Sequence, residues 1–295
     1  MKSYSLNIAG YIIRFESADD GPDLIPSERF LRNICNDDYP DVVVNVHKGK
    51  YSLPRGAKMV FNAPYVEEIN GIAEKKRDRF WSVHKHHNDL FIKTLFPLSS
   101  FRNKAVLKYS LSSLEWNLWV DGTAIATDPM EYPLDGLILY YLTVIKGDIL
   151  IHASGINNSG RGYLFSGVSG TGKSTMAKLW DKAGAKVIHD DRLIVRSNGN
   201  GYKMYNTPVY NNDEPSESQL NKIFLIGHGK YNEIIPVSGA AGVSLIMANC
   251  IQHNWDPKIV AKLLGSVSLM CLSIPTAKLL FRPDRSVIDH ILKNE

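Results

Sequence analysis

The chain has 295 residues, of which 44% are hydrophobic and 22% are charged, so it can bury one large core or two smaller ones. Its 34 basic and 30 acidic residues give a formal charge of +4, which falls short of the concentrated basic surface expected of a nucleic-acid binder. Three cysteines at unrelated spacings predict neither a disulfide framework nor a cysteine metal site.

The first 130 residues carry the pattern of short strands separated by turns. Segments of β-branched and aromatic residues, such as YIIRFES at 11–17, DVVVNV at 41–46 and LEWNLWVDG at 114–122, alternate with turn-forming residues. We therefore predict a β-rich N-terminal domain over residues 1–130, which would recognise an acceptor or partner.

The pattern changes after TDPMEYP at 127–133, where two prolines and an aspartate indicate a joint. A helix with apolar spacing follows from residue 134 and is predicted to end at Gly147. Strands are then predicted at 148–156, 162–166 and 185–196, with a helix before the last of these. Residues 131–295 thus predict an α/β domain with a mixed sheet.

No segment indicates export or membrane insertion. The N-terminus lacks the continuous apolar run of a secretory signal, and the most apolar stretch, at 136–147, is too short to cross a bilayer. We expect a cytoplasmic protein without a membrane or nucleic-acid partner. The sequence leaves open whether the chain forms a homo-oligomer.

Residues 167–174, GVSGTGKS, satisfy the pattern G-x-x-x-x-G-K-[ST] between a predicted strand and a predicted helix. In such a loop, backbone amides and the helix N-terminus surround phosphate oxygens, the lysine reaches the outer phosphates and the serine ligates Mg²⁺. A glycine-rich turn with an incidental lysine is the alternative. The predicted nucleotide-binding residues are Gly167, Ser169, Gly170, Thr171, Gly172, Lys173, Ser174 and Thr175.

Two further features surround this loop. Asp190 and Asp191 follow it after one predicted helix and one short strand, which brings two carboxylates beside the phosphates; a turn or a strand end is the alternative role for them. His152 lies on the strand before the loop strand and would approach the aspartates if these strands pair as a hairpin. Otherwise it is a core histidine.

The run from IHASG through GVSGTGKST to VIHDDR resembles the catalytic core of the HPr serine kinase family, relatives of the ATP-dependent phosphoenolpyruvate carboxykinases. The resemblance is strongest over residues 148–196. Weaker similarity at 205–210, 221–239 and 275–292 is to kinase-like proteins found beside peptide-modification genes. The E-I-R-G-x-G signature of the bifunctional family members is missing from the sequence, so neither HPr as substrate nor the reverse reaction is implied.

The resemblance implies ATP and Mg²⁺ as cofactors, held by Lys173, Ser174 and the loop amides. It also implies that one aspartate ligates the metal and the other accepts the proton of an attacking hydroxyl. We assign Asp190 as the base and Asp191 as the metal ligand, with His152 assisting departure of the proton.

These observations favour a Mg²⁺-dependent ATP kinase that phosphorylates a serine of a protein or peptide. One alternative keeps the chemistry but uses a small acceptor such as free serine. Another is an ATP-binding module that regulates a partner without transferring phosphate. A phosphoenolpyruvate carboxykinase is disfavoured because the chain is short for that family's additional substrate-binding domain.

Two other clusters remain open to two interpretations. The HKHH segment at 84–87 predicts a solvated strand face rather than a metal site. Arg282 and Arg285 could clamp a phosphate, or they could pair with Asp284 and cap the last helix.

Overall fold

The computed structural model describes residues 1–69, 72–95, 104–122 and 126–294. The chain divides into two compact units, Met1–Leu142 and Thr143–Glu295. The division falls within a helix, whereas the sequence predicted a boundary at residue 130. The reason is that this helix contributes to the first unit: the rings of Tyr109 and Tyr141 pack with their centroids 4.4 Å apart.

The first unit consists mainly of strands. They are β1 (Ser3–Ile8), β2 (Tyr11–Ser17), β3 (Asp23–Leu24), β4 (Ile34–Cys35), β5 (Val42–Lys48), β6 (Lys58–Ile69), β7 (Ile72–His86), β8 (Asp89–Leu95), β9 (Lys104–Tyr109), β10 (Glu115–Asp121) and β11 (Ala126–Thr127). A 3-10 helix spans Glu28–Asn33, and helix α1 (Leu134–Lys146) crosses the division between the units.

Most of these strands join one mixed sheet. Within the described residues its order is β4-β1-β2-β5-β10-β9-β8-β7-β6, and β3 pairs separately with β11. Within the large sheet, strand β5 runs parallel to both of its neighbours and the other pairs are antiparallel; β3 and β11 pair in parallel. Alternate residues of β5, Val42, Val44 and Val46, are buried, as expected of a strand with one face on the core. The predicted β-rich N-terminal region is confirmed.

The second unit alternates strands and helices. Its elements are β12 (Ile149–Asn158), β13 (Arg161–Ser166), α2 (Lys173–Lys182), β14 (Lys186–His189), β15 (Arg192–Ser197), β16 (Tyr202–Asn206), β17 (Glu217–Leu220), β18 (Lys222–His228), β19 (Glu233–Val237), α3 (Gly239–Met247), α4 (Pro257–Ser273), β20 (Thr276–Phe281) and α5 (Ser286–Lys293).

These strands form a second mixed sheet. Among the described residues the order is β17-β16-β15-β12-β13-β18-β20-β19, with β14 also paired to β12. Strands β13, β18 and β20 are parallel, and β12 is antiparallel to β13. Alternate residues of β13 enter two different cores: Leu164 packs in the core that receives α3 and α4, whereas Tyr163 and Phe165 pack in the core that receives α2 and α5. The predicted α/β fold with a mixed sheet around the loop is confirmed.

Strands β14 and β15 continue one another along one edge of β12. Gly155 pairs with His189, and His152 pairs with Arg192, both in the same antiparallel alignment. Asp190 and Asp191 lie between the two strands in a two-residue bend, which we call the carboxylate bulge. The sequence predicted one continuous strand over 185–196, and that prediction was wrong at these two residues, where the backbone bends. The pairing register is nevertheless the same on both sides of the bend, and the Asp191 carbonyl still accepts the Ala153 amide.

Among the described residues, no helix is long and apolar enough to span a membrane.

Candidate functional site

The glycine-rich loop connects the end of β13 to the start of α2. The Lys173 ammonium donates to the backbone carbonyls of Gly167 at 2.8 Å and Val168 at 3.1 Å. The Thr171 hydroxyl donates to the Val168 carbonyl at 2.8 Å, and the His228 ring donates from Nε2 to the Gly170 carbonyl at 2.9 Å. Side chains therefore hold the loop by its carbonyl oxygens, which leaves its amides for another partner.

The loop amides provide a set of donors suited to an anion. Within the described chain, the amides of Gly170, Gly172, Lys173 and Ser174 have no hydrogen-bond acceptor, while that of Thr171 donates to the Val168 carbonyl. Unused amides at a helix N-terminus carry positive charge toward a ligand. These donors fit the phosphates of a nucleotide.

The carboxylate bulge faces His152. The His152 Nε2 atom lies 3.4 Å from Asp191 Oδ1, and the Arg192 Nε atom lies 3.2 Å from Asp191 Oδ2. The side chain of His152 is 47% exposed, so it can meet a ligand while contacting Asp191. The pairing of β12 with β15 accounts for the approach, since His152 and Arg192 are directly opposite.

Burial and nearby cations lower the pKa of His152. Partial burial is the largest cause, Lys173 and Arg192 act in the same direction, and Asp191 opposes them. His152 is therefore neutral at pH 7 and able to accept a proton. Burial also lowers the pKa of Lys173, with Asp191 again opposing.

The two aspartates differ in their surroundings. Within the described chain, the Asp190 carboxylate has no hydrogen-bond or ion-pair partner, whereas Asp191 contacts both His152 and Arg192. Burial is the largest cause that raises the pKa of Tyr210, and the charges of Asp190 and Asp191 raise it further. This exposed tyrosine therefore lies near both carboxylates. Asp190 therefore keeps its oxygens free for a proton or a metal ion.

Sequence reasoning missed His189 and Asp213. His189 is 5% exposed, and its Nδ1 atom accepts the Asp191 amide at 3.1 Å. Its Nε2 atom lies 3.2 Å from Asp213 Oδ2. The available signal was a histidine at the end of an apolar strand directly before the two aspartates, but the position of Asp213 required the fold.

The donor set fits Mg²⁺ bound by few protein ligands. Within the described residues, no group of three or more His, Cys, Asp or Glu side chains forms a metal cluster. Magnesium in phosphate-transferring sites uses one or two carboxylates together with substrate oxygens and water. Ser174, exposed at the first turn of α2, and one aspartate of the bulge supply oxygens of this kind.

The remaining polar clusters of the sequence have local partners. His84 Nε2 lies 3.1 Å from the Ser82 hydroxyl. Arg282 Nε lies 3.2 Å from Asp284 Oδ2, which agrees with the interpretation of Arg282 as the partner of Asp284.

No protein-family model and no curated protein matches the sequence. Among solved structures, the chain is similar to the HPr(Ser) kinase/phosphatase from Coxiella burnetii, with a TM-score of 0.31 and 11% identity over 49% of this chain and 94% of that chain. A similarity at this level carries no conclusion about this chain. The fold class therefore rests on the strand order and helices described above.

Proposed function

We propose that the chain is a Mg²⁺-dependent ATP phosphotransferase that transfers the γ-phosphate to a hydroxyl group, most simply a serine of a protein or peptide. The observation that carries the proposal is the position of Ala153 in β12. Ala153 pairs with Ser166, where the glycine-rich loop begins, and its amide donates to the Asp191 carbonyl at 3.1 Å on the other edge. One strand therefore separates the phosphate loop from the carboxylate bulge.

ATP with Mg²⁺ would supply the phosphoryl group and neutralise part of its charge. Lys173, Ser174 and the loop amides would hold the phosphates. In phosphoryl transfer the protein mainly positions the reactants and stabilises charge, so one carboxylate aimed at the acceptor is sufficient as a base. Asp190, which has no partner in the described chain, suits that role.

The predicted role of His152 needs one adjustment. It was assigned to assist the proton at the base, but its contact is with Asp191, the carboxylate assigned to the metal. We therefore propose that His152 orients Asp191, while Asp190 alone accepts the hydroxyl proton.

The openness of the site supports a large acceptor. The side chain of His152 is half exposed, and Val168 and Tyr210 are 65% and 52% exposed. Sites for small molecules usually enclose most of the ligand surface. An open rim is better suited to a loop or tail of a protein than to free serine.

The test is incubation of the purified protein with Mg²⁺ and γ-labelled ATP in size-fractionated lysate from the source organism. We expect label on a macromolecule with the wild type and none with Lys173→Ala. Label on a small molecule would instead identify a metabolic hydroxyl kinase. Nucleotide binding without any labelled product would support the regulatory module.

The two aspartates can be separated by their dependence on Mg²⁺. Asp190→Asn should lower kcat by about 10²-fold or more and leave nucleotide affinity and the Mg²⁺ requirement unchanged. Asp191→Asn should raise the Mg²⁺ concentration needed for half-maximal rate. If the Mg²⁺ requirement rises in Asp190→Asn and not in Asp191→Asn, the two roles are exchanged.

A further inference from the structure

The buried His189 ring joins two segments that lie 24 residues apart in the chain. On one side its Nδ1 atom accepts the amide of Asp191 at 3.1 Å and that of Arg192 at 3.4 Å. On the other side its Nε2 atom lies 3.2 Å from Asp213 Oδ2. Both ring nitrogens are therefore engaged.

These contacts determine where the ring carries its proton. A backbone amide only donates, so Nδ1 must present its lone pair to the Asp191 amide. The proton then lies on Nε2 and is donated to the Asp213 carboxylate. The His189 ring therefore presents an acceptor toward the bulge and a donor toward Asp213.

Asp213 in turn holds the segment that carries Tyr210. Its Oδ2 atom accepts the amides of Val209 and Tyr210, both at 2.8 Å. The ring of Tyr210 stacks on that of His189, with centroids 5.9 Å apart. The carboxylate bulge and the segment over residues 209–213 are thus joined through one imidazole.

We propose that His189 and Asp213 are positioning residues for phosphoryl transfer: the imidazole fixes the backbone of the carboxylate bulge and ties it to the segment bearing Tyr210. This inference rests on the proposed phosphotransferase function. Asp190 has no side-chain partner in the described chain, so the backbone on which it lies sets the position of its Cβ atom and the rotamers open to it. Fixing the amide of the next residue therefore restricts the positions that the Asp190 carboxylate can reach.

Two substitutions test the hydrogen bonds of the two ring nitrogens separately. In His189→Asn, the side-chain oxygen can replace Nδ1 as acceptor of the Asp191 amide, but the donor to Asp213 is lost. In His189→Gln, the terminal amide can replace Nε2 as donor to Asp213, but the acceptor for the bulge is lost. Ile291→Val, which removes one buried methyl group from α5, controls for a simple loss of stability.

We expect His189→Gln to lower kcat by about 10- to 100-fold, the range found when hydrogen-bond partners that orient metal ligands are removed. His189→Asn should lose several-fold less, and the nucleotide Kd of both variants should stay close to that of the wild type. Equal losses of kcat in the two variants would overturn the inference, and so would unchanged kcat in His189→Gln.

A readout that needs no activity separates this inference from the proposed function. In the nucleotide-free protein, the ¹⁵N resonances of His189 should report a proton on Nε2 only. The Asp191 amide should exchange with solvent faster in His189→Gln than in His189→Asn or Ile291→Val. If the wild type transfers no phosphate, the proposed function fails. These measurements still determine whether His189 holds the backbone of the carboxylate bulge. Equal exchange in all variants, or a proton on Nδ1, would contradict the inference.

Discussion

Gly170 and Gly172 of the phosphate loop both have the left-handed backbone, with φ of +81° and +98°. A Cβ atom on Gly172 would lie 2.8 Å from Cζ of Phe281, whereas one on Gly170 would meet no atom within 4 Å. Phe281, at the end of β20, therefore packs where only glycine fits. Backbone strain is common to both positions, and the steric conflict is specific to Gly172.

Gly172→Ala should weaken nucleotide binding more than Gly170→Ala. Each change costs about 1–2 kcal/mol of backbone strain. Only in Gly172→Ala does the new methyl group also clash with the Phe281 ring, so that the loop must shift. We expect at least about tenfold weaker binding for Gly172→Ala, equivalent to about 1.4 kcal/mol, measured by calorimetric titration. Phe281→Leu in the Gly172→Ala background should recover part of the affinity. Equal losses at the two glycines would contradict the steric explanation.

His253 should make the second unit sensitive to acid. Burial lowers the pKa of His253 from 6.5 to about 3, so between these values the unfolded chain binds a proton that the folded chain does not. Stability should therefore fall as the pH drops below about 6.5, with a slope of up to about 1.4 kcal/mol per pH unit. His253→Gln should flatten that slope.

The measurement is urea unfolding at pH 7, 6 and 5, followed through the ¹⁹F signal of fluorotryptophan at Trp180, which is buried in the second unit. Parallel slopes for the wild type and His253→Gln would assign the acid sensitivity to other groups.

At the scale of elements, a buried ion pair connects the 3-10 helix to the first turn of α1. Arg29 donates from Nη1 to Asp135 Oδ2 at 2.8 Å and from Nη2 to the Met130 carbonyl at 2.9 Å. Only 15% of the Arg29 side chain and 3% of the Asp135 side chain are exposed. Removing one partner of such a pair leaves the other charge poorly solvated.

Asp135→Ala should lower the free energy of unfolding of the first unit by about 3 kcal/mol or more. The matched control is Glu16→Ala, because the Glu16 carboxylate pairs with Arg14 on the exposed surface, with 42% and 36% of the two side chains accessible. Its loss should cost no more than about 1 kcal/mol. Urea unfolding followed at Trp116, which is buried in the first unit, gives both values. Similar costs for the two variants would show that burial does not strengthen the Arg29 pair.

Apolar periodicity predicted most of the strands and helices around the site. The bend at the two aspartates and the contact of His189 with Asp213 depend on how the strands and loops pack in the folded chain. The strand before the loop, the loop and α2 follow from apolar spacing and glycine positions. Strands β12 and β13 pair as the antiparallel hairpin that the sequence had left as a condition. Apolar residues on both sides of the two aspartates predicted a continuous strand, although the frequency of aspartate in turns had left a turn or a strand end as the alternative there. The contact of His189 with Asp213 depends on the path of residues 207–213, which no periodicity specifies.

At the scale of the whole molecule, helix α1 belongs to both units. Tyr141, which precedes the division, packs with Tyr109 of the first unit. At its C-terminal end, the Lys262 ammonium donates to the Ile145 carbonyl at 2.7 Å, and the Ser266 hydroxyl donates to the Gly147 carbonyl at 2.7 Å, all within the second unit. The sequence boundary at residue 130 could not anticipate this, because a continuous helical pattern gives no sign of where its contacts change.

Nucleotide binding should stabilise the second unit, because the loop amides and Lys173 lie there. A ligand that binds only the folded state at 100 times its Kd adds about 2.7 kcal/mol. With Mg²⁺ and a non-hydrolysable ATP analogue at that excess, we expect the Trp180 unfolding transition to move to higher urea concentration. Lys173→Ala at the same analogue concentration should show no shift. If the Trp116 transition moves by the same amount, the two units unfold as one cooperative body through α1. A shift at Trp116 alone would place the nucleotide in the first unit and overturn the assignment of the glycine-rich loop.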